Sequence, residues 1–493
     1  MPDDTRNLRF DPAARAAPIL EPQPAPEPDV VAEPITSAIH PVAAPAVCAS
    51  APALDARPSN APIYVSVRIK FALALVIGAA WLALSVVVAL PWIDSLGAIT
   101  GRALALAIVG GIALAPGFMN AFLISSLLLD RRPRRREFDT WPAVSILIAA
   151  YNEEASIVDT LRSLANQNYP GPFEVLVIDD GSRDRTAELV AACNYPWLRL
   201  IRQPKNAGKS AALNRGLGES IYDIVVTLDG DSYLYRDALK NLVGRYLSDP
   251  PHTRAVAGTM LVRNSRRNWV TRAQEWDYFH GIAAIKRVQS LYQGTLVAQG
   301  AFSIYDRGAL TEVGGWADCV GEDIVLTWAL LSRGYRVGHA EDACCFTNAP
   351  DTLRQFVRQR QRWSRGMIEA FRNFPGILLK PRLSTMFVWW NVLFPWLDLA
   401  YTVFFIPGMV LACFGIFWIA GPLTLALLPM ALLVNMVMYR VGSQMFAGSG
   451  LRVRRNVSGF LIYAFVYSLI LQPACVAGYL AEIAGLRKTW GTK

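Results

Sequence analysis

The sequence predicts an α/β fold, a mostly parallel sheet covered by helices and set between helices apolar enough to cross a bilayer. Short β-rich runs alternate with helical patterns from Trp141 to about Pro350, which is the signature of strand-helix-strand units. Long uncharged runs flank that stretch, and with 53% hydrophobic residues and a mean hydropathy of +0.28 the chain is too apolar for an ordinary soluble protein of 493 residues.

The first 60 residues are rich in Pro and Ala and carry eight acids against four bases. Too few large apolar side chains are present to offset ordering entropy, so 1–63 is expected to be a disordered cytoplasmic tail. No charged start followed by a short apolar core and cleavage site is present, so no removed signal peptide is expected. The basic excess belongs to the rest of the chain.

Phe71 to Ile93 and Ala103 to Leu129 are uncharged. Each is long enough for a span, which takes about 20 apolar residues. Arg68 and Lys70 precede the first, and the second runs into Arg131-Arg132-Pro133-Arg134-Arg135-Arg136, so the positive-inside rule places the N-terminus and the region after Arg131 in the cytoplasm. Such a basic run anchors topology on anionic headgroups; membrane lipid is the expected partner and nucleic acid is not. Leu383 to Tyr439 is broken only by Asp398, and Asn456 to Ala481 is uncharged. Because Arg440 to Arg455 and the tail with Arg487, Lys488 and Lys493 are both basic, two to four C-terminal crossings fit. Asp398 is either a functional ionisable group or an interfacial one. The seven cysteines are scattered without C-x-x-C pairs, as expected of structural thiols in a reducing compartment.

Val144 to Ala150, Phe173 to Ile178, Leu198 to Arg202, Ile224 to Leu228 and Ala255 to Met260 read as buried strands, joined by helices such as Ala155 to Ala165, Asp184 to Ala192 and Lys209 to Glu219. Ligands of such sheets bind at the carboxyl ends of the strands. Asp179-Asp180-Gly181-Ser182-Arg183-Asp184 follows one strand; its acids either bind a base or ribose or cap a helix, with Ser182 or Asp184 as the cap. Asp229-Gly230-Asp231 follows another, and two closely spaced carboxylates there suit a hard divalent cation that shares a phosphate ligand. Lys209 opens a helix after Gly208, where lysine and helix N-terminus both favour phosphate oxygens, although Gly-x-x-x-x-Gly-Lys is absent. Glu322-Asp323 begins a helical run, either stabilising its N-terminus or presenting a general base. Thr352 to Phe374 is amphipathic, with Leu353, Phe356, Val357, Trp363, Met367, Phe371 and Phe374 near one face and arginines around it. A basic helix in the headgroup region is expected, from which Gln359, Arg362 and Trp363 project toward the site, arginine to neutralise a diphosphate and tryptophan to stack on a sugar.

The ordered set Asp179-Asp180, Asp229-Gly230-Asp231, Glu322-Asp323 and Gln359-Arg360-Gln361-Arg362-Trp363 resembles the processive membrane family 2 glycosyltransferases of GT-A fold, the group of cellulose, hyaluronan, chitin-oligosaccharide and poly-N-acetylglucosamine synthases. The resemblance covers roughly Val144 to Phe374. Glu275 to Ile282, Ile285 to Gln289, Gly321 to Ile324 and Thr489-Trp490 are most similar to the poly-β-1,6-N-acetylglucosamine branch, although Gly321 stands where threonine is expected and Arg360 to Met367 is equally similar to cellulose synthases.

The resemblance implies that Tyr151, Asp179, Asp180, Lys209 and Asp229 hold the uridine diphosphate, that Asp229 and Asp231 ligate Mg²⁺ or Mn²⁺, that Asp323 is the base, and that Gln359, Arg362 and Trp363 frame the diphosphate and the acceptor end. It implies inverting, processive transfer from a UDP-sugar to a polysaccharide at the cytoplasmic face of the plasma (inner) membrane, with secretion of the polymer and a small membrane subunit as a candidate partner. A glucose polymer, single addition to a lipid carrier, and an inactive receptor are the alternatives. The implied organisation is 1–63 tail, 64–137 two spans and anchor, 138–350 GT-A domain, 351–382 interface helix, and 383–493 C-terminal spans.

Overall fold

The computed structural model describes residues 65–131, 135–292, 294–421, 428–447, 450–451 and 455–487. The readings made for the 1–63 tail, for 132–134 of the basic anchor, for Arg452 and Arg454, and for Lys488, Thr489-Trp490 and Lys493 lie outside these residues.

Eight strands form one sheet in the order β3-β2-β1-β4-β7-β6-β8-β5. They are β1 (Val144–Ala150), β2 (Phe173–Asp179), β3 (Leu198–Arg202), β4 (Ile224–Leu228), β5 (Tyr233–Leu234), β6 (Thr253–Val262), β7 (Phe302–Asp306) and β8 (Arg336–Thr347). β3, β2, β1 and β4 run parallel, β7 runs antiparallel between β4 and β6, and β6 pairs in parallel with β8. From β1 the chain steps outward to β2 and β3, then returns to the other side of β1 as β4. That reversal opens a crevice beyond the carboxyl ends of β1 and β4, where ligands of open α/β sheets bind.

The pleat sorts the apolar side chains of β1. Ile146 and Ile148 join the core on one sheet face with Val175, Val177, Val226 and Leu239. Leu147 joins the core on the other with Ile178, Leu213, Trp316 and Trp328. The latter core runs on without a break into the apolar helices, because Ala74, Phe122, Phe387 and Val388 belong to it. Phe122 is packed edge-on against Phe387 and Trp390, and Tyr292 donates its hydroxyl to Ser126 Oγ at 2.9 Å. Each fully buried aromatic of this kind contributes roughly 1.5–3 kcal/mol, so sheet and apolar helices stabilise one another, and the described residues from 65 onward pack as one unit.

Among the described residues, four helices are long and apolar enough to cross a membrane: Val67–Thr100, Arg102–Leu129, Thr385–Cys413 and Val457–Ile483. Asp398, on the third, accepts the Tyr479 hydroxyl of the fourth at 2.9 Å. The helix Leu353–Asn373, called the interface helix after its expected position, lies along the fourth. Glu482, 3% exposed, accepts from Arg365 and from Arg372, each at 3.0 Å.

Several expected boundaries shift. The helices expected from Ala155 and Asp184 begin at Ile157 and Thr186, because the preceding residues are used in loop hydrogen bonds: Asp184 accepts the Thr186 N–H and Ser182 Oγ accepts the Asn152 N–H. Neither Ser182 nor Asp184 is therefore the N-cap residue. Trp363, expected on the apolar face of the interface helix, is 41% exposed, whereas Arg360 is 4% exposed. The rings of Phe356, Trp363 and Tyr467 and the carboxylate of Asp277, all around the Arg360 guanidinium, make that inversion favourable.

Candidate active site

The crevice collects side chains from strand ends. Tyr151 and Asn152 follow β1, Asn152 in a left-handed conformation (φ 56°), and Tyr151 is 40% exposed at the mouth. Asp179 ends β2, where its Oδ1 accepts the Ser182 N–H at 3.1 Å. Asp180 reaches across to the loop after β3. Its two oxygens accept the N–H groups of Ala207 and Gly208, each at 2.8 Å. Gly208 adopts φ +93°, which a side chain rarely does, and this turn starts the Lys209–Glu219 helix. Asp180 thus fixes the loop that aims Lys209.

Lys209 points into the crevice. Its Nζ lies 2.6 Å from Asp229 Oδ1 and 3.6 Å from Glu322 Oε1. Gly300 leaves room for it, since a β-carbon there would sit 3.0 Å from Nζ and 3.6 Å from Glu322 Oε1. Burial alone would discharge the ammonium, but Asp229, Glu322 and Asp323 outweigh it and raise its affinity for the proton. Glu322, 6% exposed, is pushed up to about 7 by burial, with Lys209 drawing it down, Asp323 pushing it up and Arg362 also drawing it down.

Asp323 sits beside it in the first turn of the Glu322–Ser332 helix and is only partly buried. That helix starts at Gly321, whose N–H donates to the buried carboxylate of Glu369 on the interface helix at 2.9 Å. A β-carbon on Gly321 would lie 2.5 Å from the Gly366 Cα, so the two backbones touch. Glycine stands in place of the expected threonine because a side chain does not fit.

The interface helix brings Gln359, Arg362 and Trp363. Arg362 is close enough to act on Glu322, and the buried Gln359 and the half-exposed Trp363 both meet Tyr278, whose ring centroid is 6.4 Å from that of Trp363. Asp231 lies close enough to Tyr278 to act on its hydroxyl. Burial raises the Tyr278 hydroxyl above its ordinary value, chiefly against the pull of Arg360.

Ten residues singled out from the sequence fall into three groups. Lys209, Asp229 and Glu322's neighbour Asp323 converge with Arg362; Asp231, Gln359 and Trp363 gather around Tyr278; Asp179, Asp180 and Tyr151 form the loop side. Sequence reasoning missed Tyr278, Gly300 and Arg360. Arg360 donates to Asp277 at 2.8 Å and lies 4.1 Å from the Trp363 ring, 4.9 Å from Phe356 and 5.9 Å from Tyr467, a caged cation that braces Trp363 from behind.

Among the described residues no three His, Cys, Asp or Glu side chains converge as a complete cation cage. Two carboxylates on one strand end, Asp229 and Asp231, fit instead a hard divalent ion that takes its remaining oxygens from water and a diphosphate.

Residues 145–314 match the family model described as "Glycosyl transferase family 2". This stretch is a family 2 glycosyltransferase domain. Its sheet, parallel through β3-β2-β1-β4 and antiparallel at β7, is the GT-A arrangement. The match contains Tyr151, Asp179, Asp180, Lys209, Asp229 and Asp231, while Asp323, Gln359, Arg362 and Trp363 are added to the glycosyltransferase domain from beyond it.

The chain is 34% identical over 251 residues to the poly-beta-1,6-N-acetyl-D-glucosamine synthase of Staphylococcus aureus (strain COL), covering 50% of this chain and 58% of that protein. It is 32% identical over 245 residues to the protein of the same name from Staphylococcus epidermidis, covering 49% and 58%. The similarity thus spans little more than half the length of these relatives. The mannosyltransferase of Pyrobaculum calidifontis, solved in complex with GDP-Man and Mn2+, is 20% identical, with a TM-score of 0.49 over 77% of this chain and 97% of that one.

Proposed function

We propose that the protein transfers N-acetylglucosamine from its UDP derivative, with inversion, to the end of a growing polysaccharide at the cytoplasmic face of the plasma membrane, and passes the polymer outward between its own helices. The convergence of Lys209, Asp229, Glu322, Asp323 and Arg362 at the crevice beyond β1 and β4 carries this reading. The two staphylococcal relatives, named as poly-N-acetylglucosamine synthases, support the sugar and the polymer. The continuous core joining sheet to apolar helices supports a site at the bilayer and the division into 64–137, 138–350, 351–382 and 383–493.

Asp323 takes the proton of the acceptor hydroxyl as that oxygen bonds to the anomeric carbon, and the bond from that carbon to the diphosphate breaks on the opposite face. Lys209 and Arg362 offset the charge that builds on the leaving diphosphate. Asp229 and Asp231 would hold Mg²⁺ or Mn²⁺, which when bound supplies further charge neutralisation there. Tyr151, Asp179 and the loop fixed by Asp180 flank the nucleoside, and Trp363 offers its face to the acceptor sugar. Glu322 is structural.

The test is incorporation of labelled sugar by the purified protein in nanodiscs, given UDP-N-acetylglucosamine or UDP-glucose, with Mg²⁺, Mn²⁺ or chelator. Long product from the amino sugar alone, abolished by chelation, is expected. Glucose polymer, or a one-sugar lipid product, would replace this reading.

A further inference from the structure

The Ile157–Ala165 helix, which follows the loop of Tyr151 and Asn152, carries buried hydroxyls that no step of the transfer uses. Thr160 and Ser163 are 1% and 0% exposed, and their spacing of three sets them on one helix face. Hydroxyls this deeply buried are unfavourable unless each is hydrogen-bonded. Their partner is the backbone of one segment, which begins inside the D-x-D turn. Thr160 Oγ1 donates to the Gly230 carbonyl at 2.9 Å. The Leu234 N–H donates to Ser163 Oγ at 3.1 Å, and Ser163 Oγ donates back to the Thr160 carbonyl at 2.7 Å. Just past the helix, Gln167 takes up the same segment, donating to the Tyr235 carbonyl and accepting the Leu239 N–H, each at 3.0 Å. One helix therefore grips the chain on both sides of Asp231.

The Gly230 carbonyl and the Asp231 N–H belong to one planar peptide unit. The Thr160 bond sets how that plane is turned, and with it the direction in which Asp231 leaves the backbone. Gly230 needs such a restraint. A β-carbon there would lie 3.2 Å from Glu153 Cγ, so glycine lets the turn close on the helix. Glycine is also the residue with the most backbone freedom to lose, and it favours no single orientation by itself. Other parts of the turn are pinned separately: the Asp229 N–H donates to the Ala301 carbonyl at 3.2 Å, and the Ser232 N–H to the Asp229 carbonyl at 3.1 Å. A helical threonine commonly bonds the carbonyl one turn back, here that of Ser156. That carbonyl lies at 3.4 Å, farther than Gly230, so the bond across to the turn is the better one.

We infer that Thr160 is a positioning residue for the divalent cation, acting through the Gly230–Asp231 peptide to hold the Asp231 carboxylate ready for the ion. This rests on the assignment of Asp229 and Asp231 as cation ligands in the proposed function. A carboxylate on a turn that is free to rock must be ordered each time the ion binds, which weakens binding. Partners one layer removed from a metal change its affinity about 10–100-fold when they are lost.

Mn²⁺ binding in the presence of UDP, read from the paramagnetic resonance of the free ion, is compared in nanodiscs for the wild type, Thr160→Val, Thr160→Ser and Ser145→Ala, with Tm recorded for each. Thr160→Val keeps the shape and removes the hydroxyl. It is expected to weaken Mn²⁺ binding about tenfold or more and to raise the KM for Mn²⁺ by a similar factor, with kcat at saturating Mn²⁺ within about threefold of wild type. Thr160→Ser retains the hydroxyl and is expected to bind within about twofold of wild type. Ser145→Ala removes an equally buried hydroxyl near the start of β1, away from the crevice, where it donates to Glu174 at 2.6 Å. It is expected to lower Tm and leave Mn²⁺ binding unchanged. Should Thr160→Val not fold, Thr160→Ala takes its place with the same expectation. Wild-type Mn²⁺ affinity without the hydroxyl, a Thr160→Ser protein as weak as Thr160→Val, or equal weakening by Ser145→Ala overturns the inference. A wild type that binds no Mn²⁺ with UDP would remove the metal assignment itself, and the inference with it.

Discussion

Gly321 and Gly366 touch: a β-carbon on the first would lie 2.5 Å from the α-carbon of the second, and one on the second 2.7 Å from that of the first. The contact sets the distance between Glu322-Asp323, which follow Gly321, and Arg362, one helical turn before Gly366. Adding a methyl group between backbones that cannot yield costs about 1–3 kcal/mol. Gly366→Ala is expected to lower Tm and to reduce kcat at least about tenfold, and Gly321→Thr more so. Thermal unfolding and transfer rate measured on the same preparations check this; a fully active Gly321→Thr would show that the spacing is set elsewhere.

Asp180 holds the Lys209 loop by two charge-assisted hydrogen bonds to Ala207 and Gly208. Asp180→Asn replaces one acceptor with a donor that faces a backbone N–H, and hydrogen bonds to charged groups contribute about 1.5–3 kcal/mol each. The donor KM is expected to rise about tenfold or more, with a smaller change in kcat. Steady-state kinetics against donor concentration read the two separately.

Asp323→Asn keeps the shape of the first turn and the N–H contact of Ile324 within reach of the side-chain oxygen. It removes the proton acceptor. A loss of about 10²–10⁴ in kcat is expected, with nucleotide affinity nearly unchanged. Full turnover by this variant would remove Asp323 from the role of base.

His280 is 4% exposed, stacks on Trp276 at 5.1 Å, and has no hydrogen-bond partner on either ring nitrogen among the described residues. Burial pulls it down to about 4 from the usual 6.5. Its folded value is depressed, so the stability it contributes is present above 6.5 and is lost as pH falls toward 4. Between pH 7 and pH 5 the protein should lose about 2 kcal/mol by this route. Tm measured across that interval should fall for the wild type and flatten for His280→Phe.

The parallel half of the sheet was legible because its strands are short runs rich in Val, Ile and Leu, with Asp179 closing β2 and Asp229 following β4. Val144 to Ala150, Leu198 to Arg202 and Ile224 to Leu228 coincide with β1, β3 and β4. β7 and β8 were not anticipated. β7 has five residues, ends at Asp306 and closely follows Gly300, whereas β8 carries Glu341 and Asp342 mid-strand, where Asp342 is paired with Arg135 at 2.5 Å and Glu341 with Arg287. Those charges break the apolar pattern, and only their distant partners make them tolerable in a strand. The same reason hid Arg360. On a helical projection it belongs with the solvated arginines, yet Tyr467 and Asp277, about a hundred residues away on either side, enclose it. Periodicity reports what one segment prefers alone and is blind to a cage assembled from three.

The grip of Glu482 on Arg365 and Arg372 has a practical side. The carboxylate that steadies the interface helix is carried by the last apolar helix, so no cut after the sheet would yield a working soluble fragment. It also makes the choice of detergent a kinetic variable. An amphiphile that loosens that final helix would silence sugar transfer while the protein still runs as a single, well-dispersed species, and return to lipid should restore the rate.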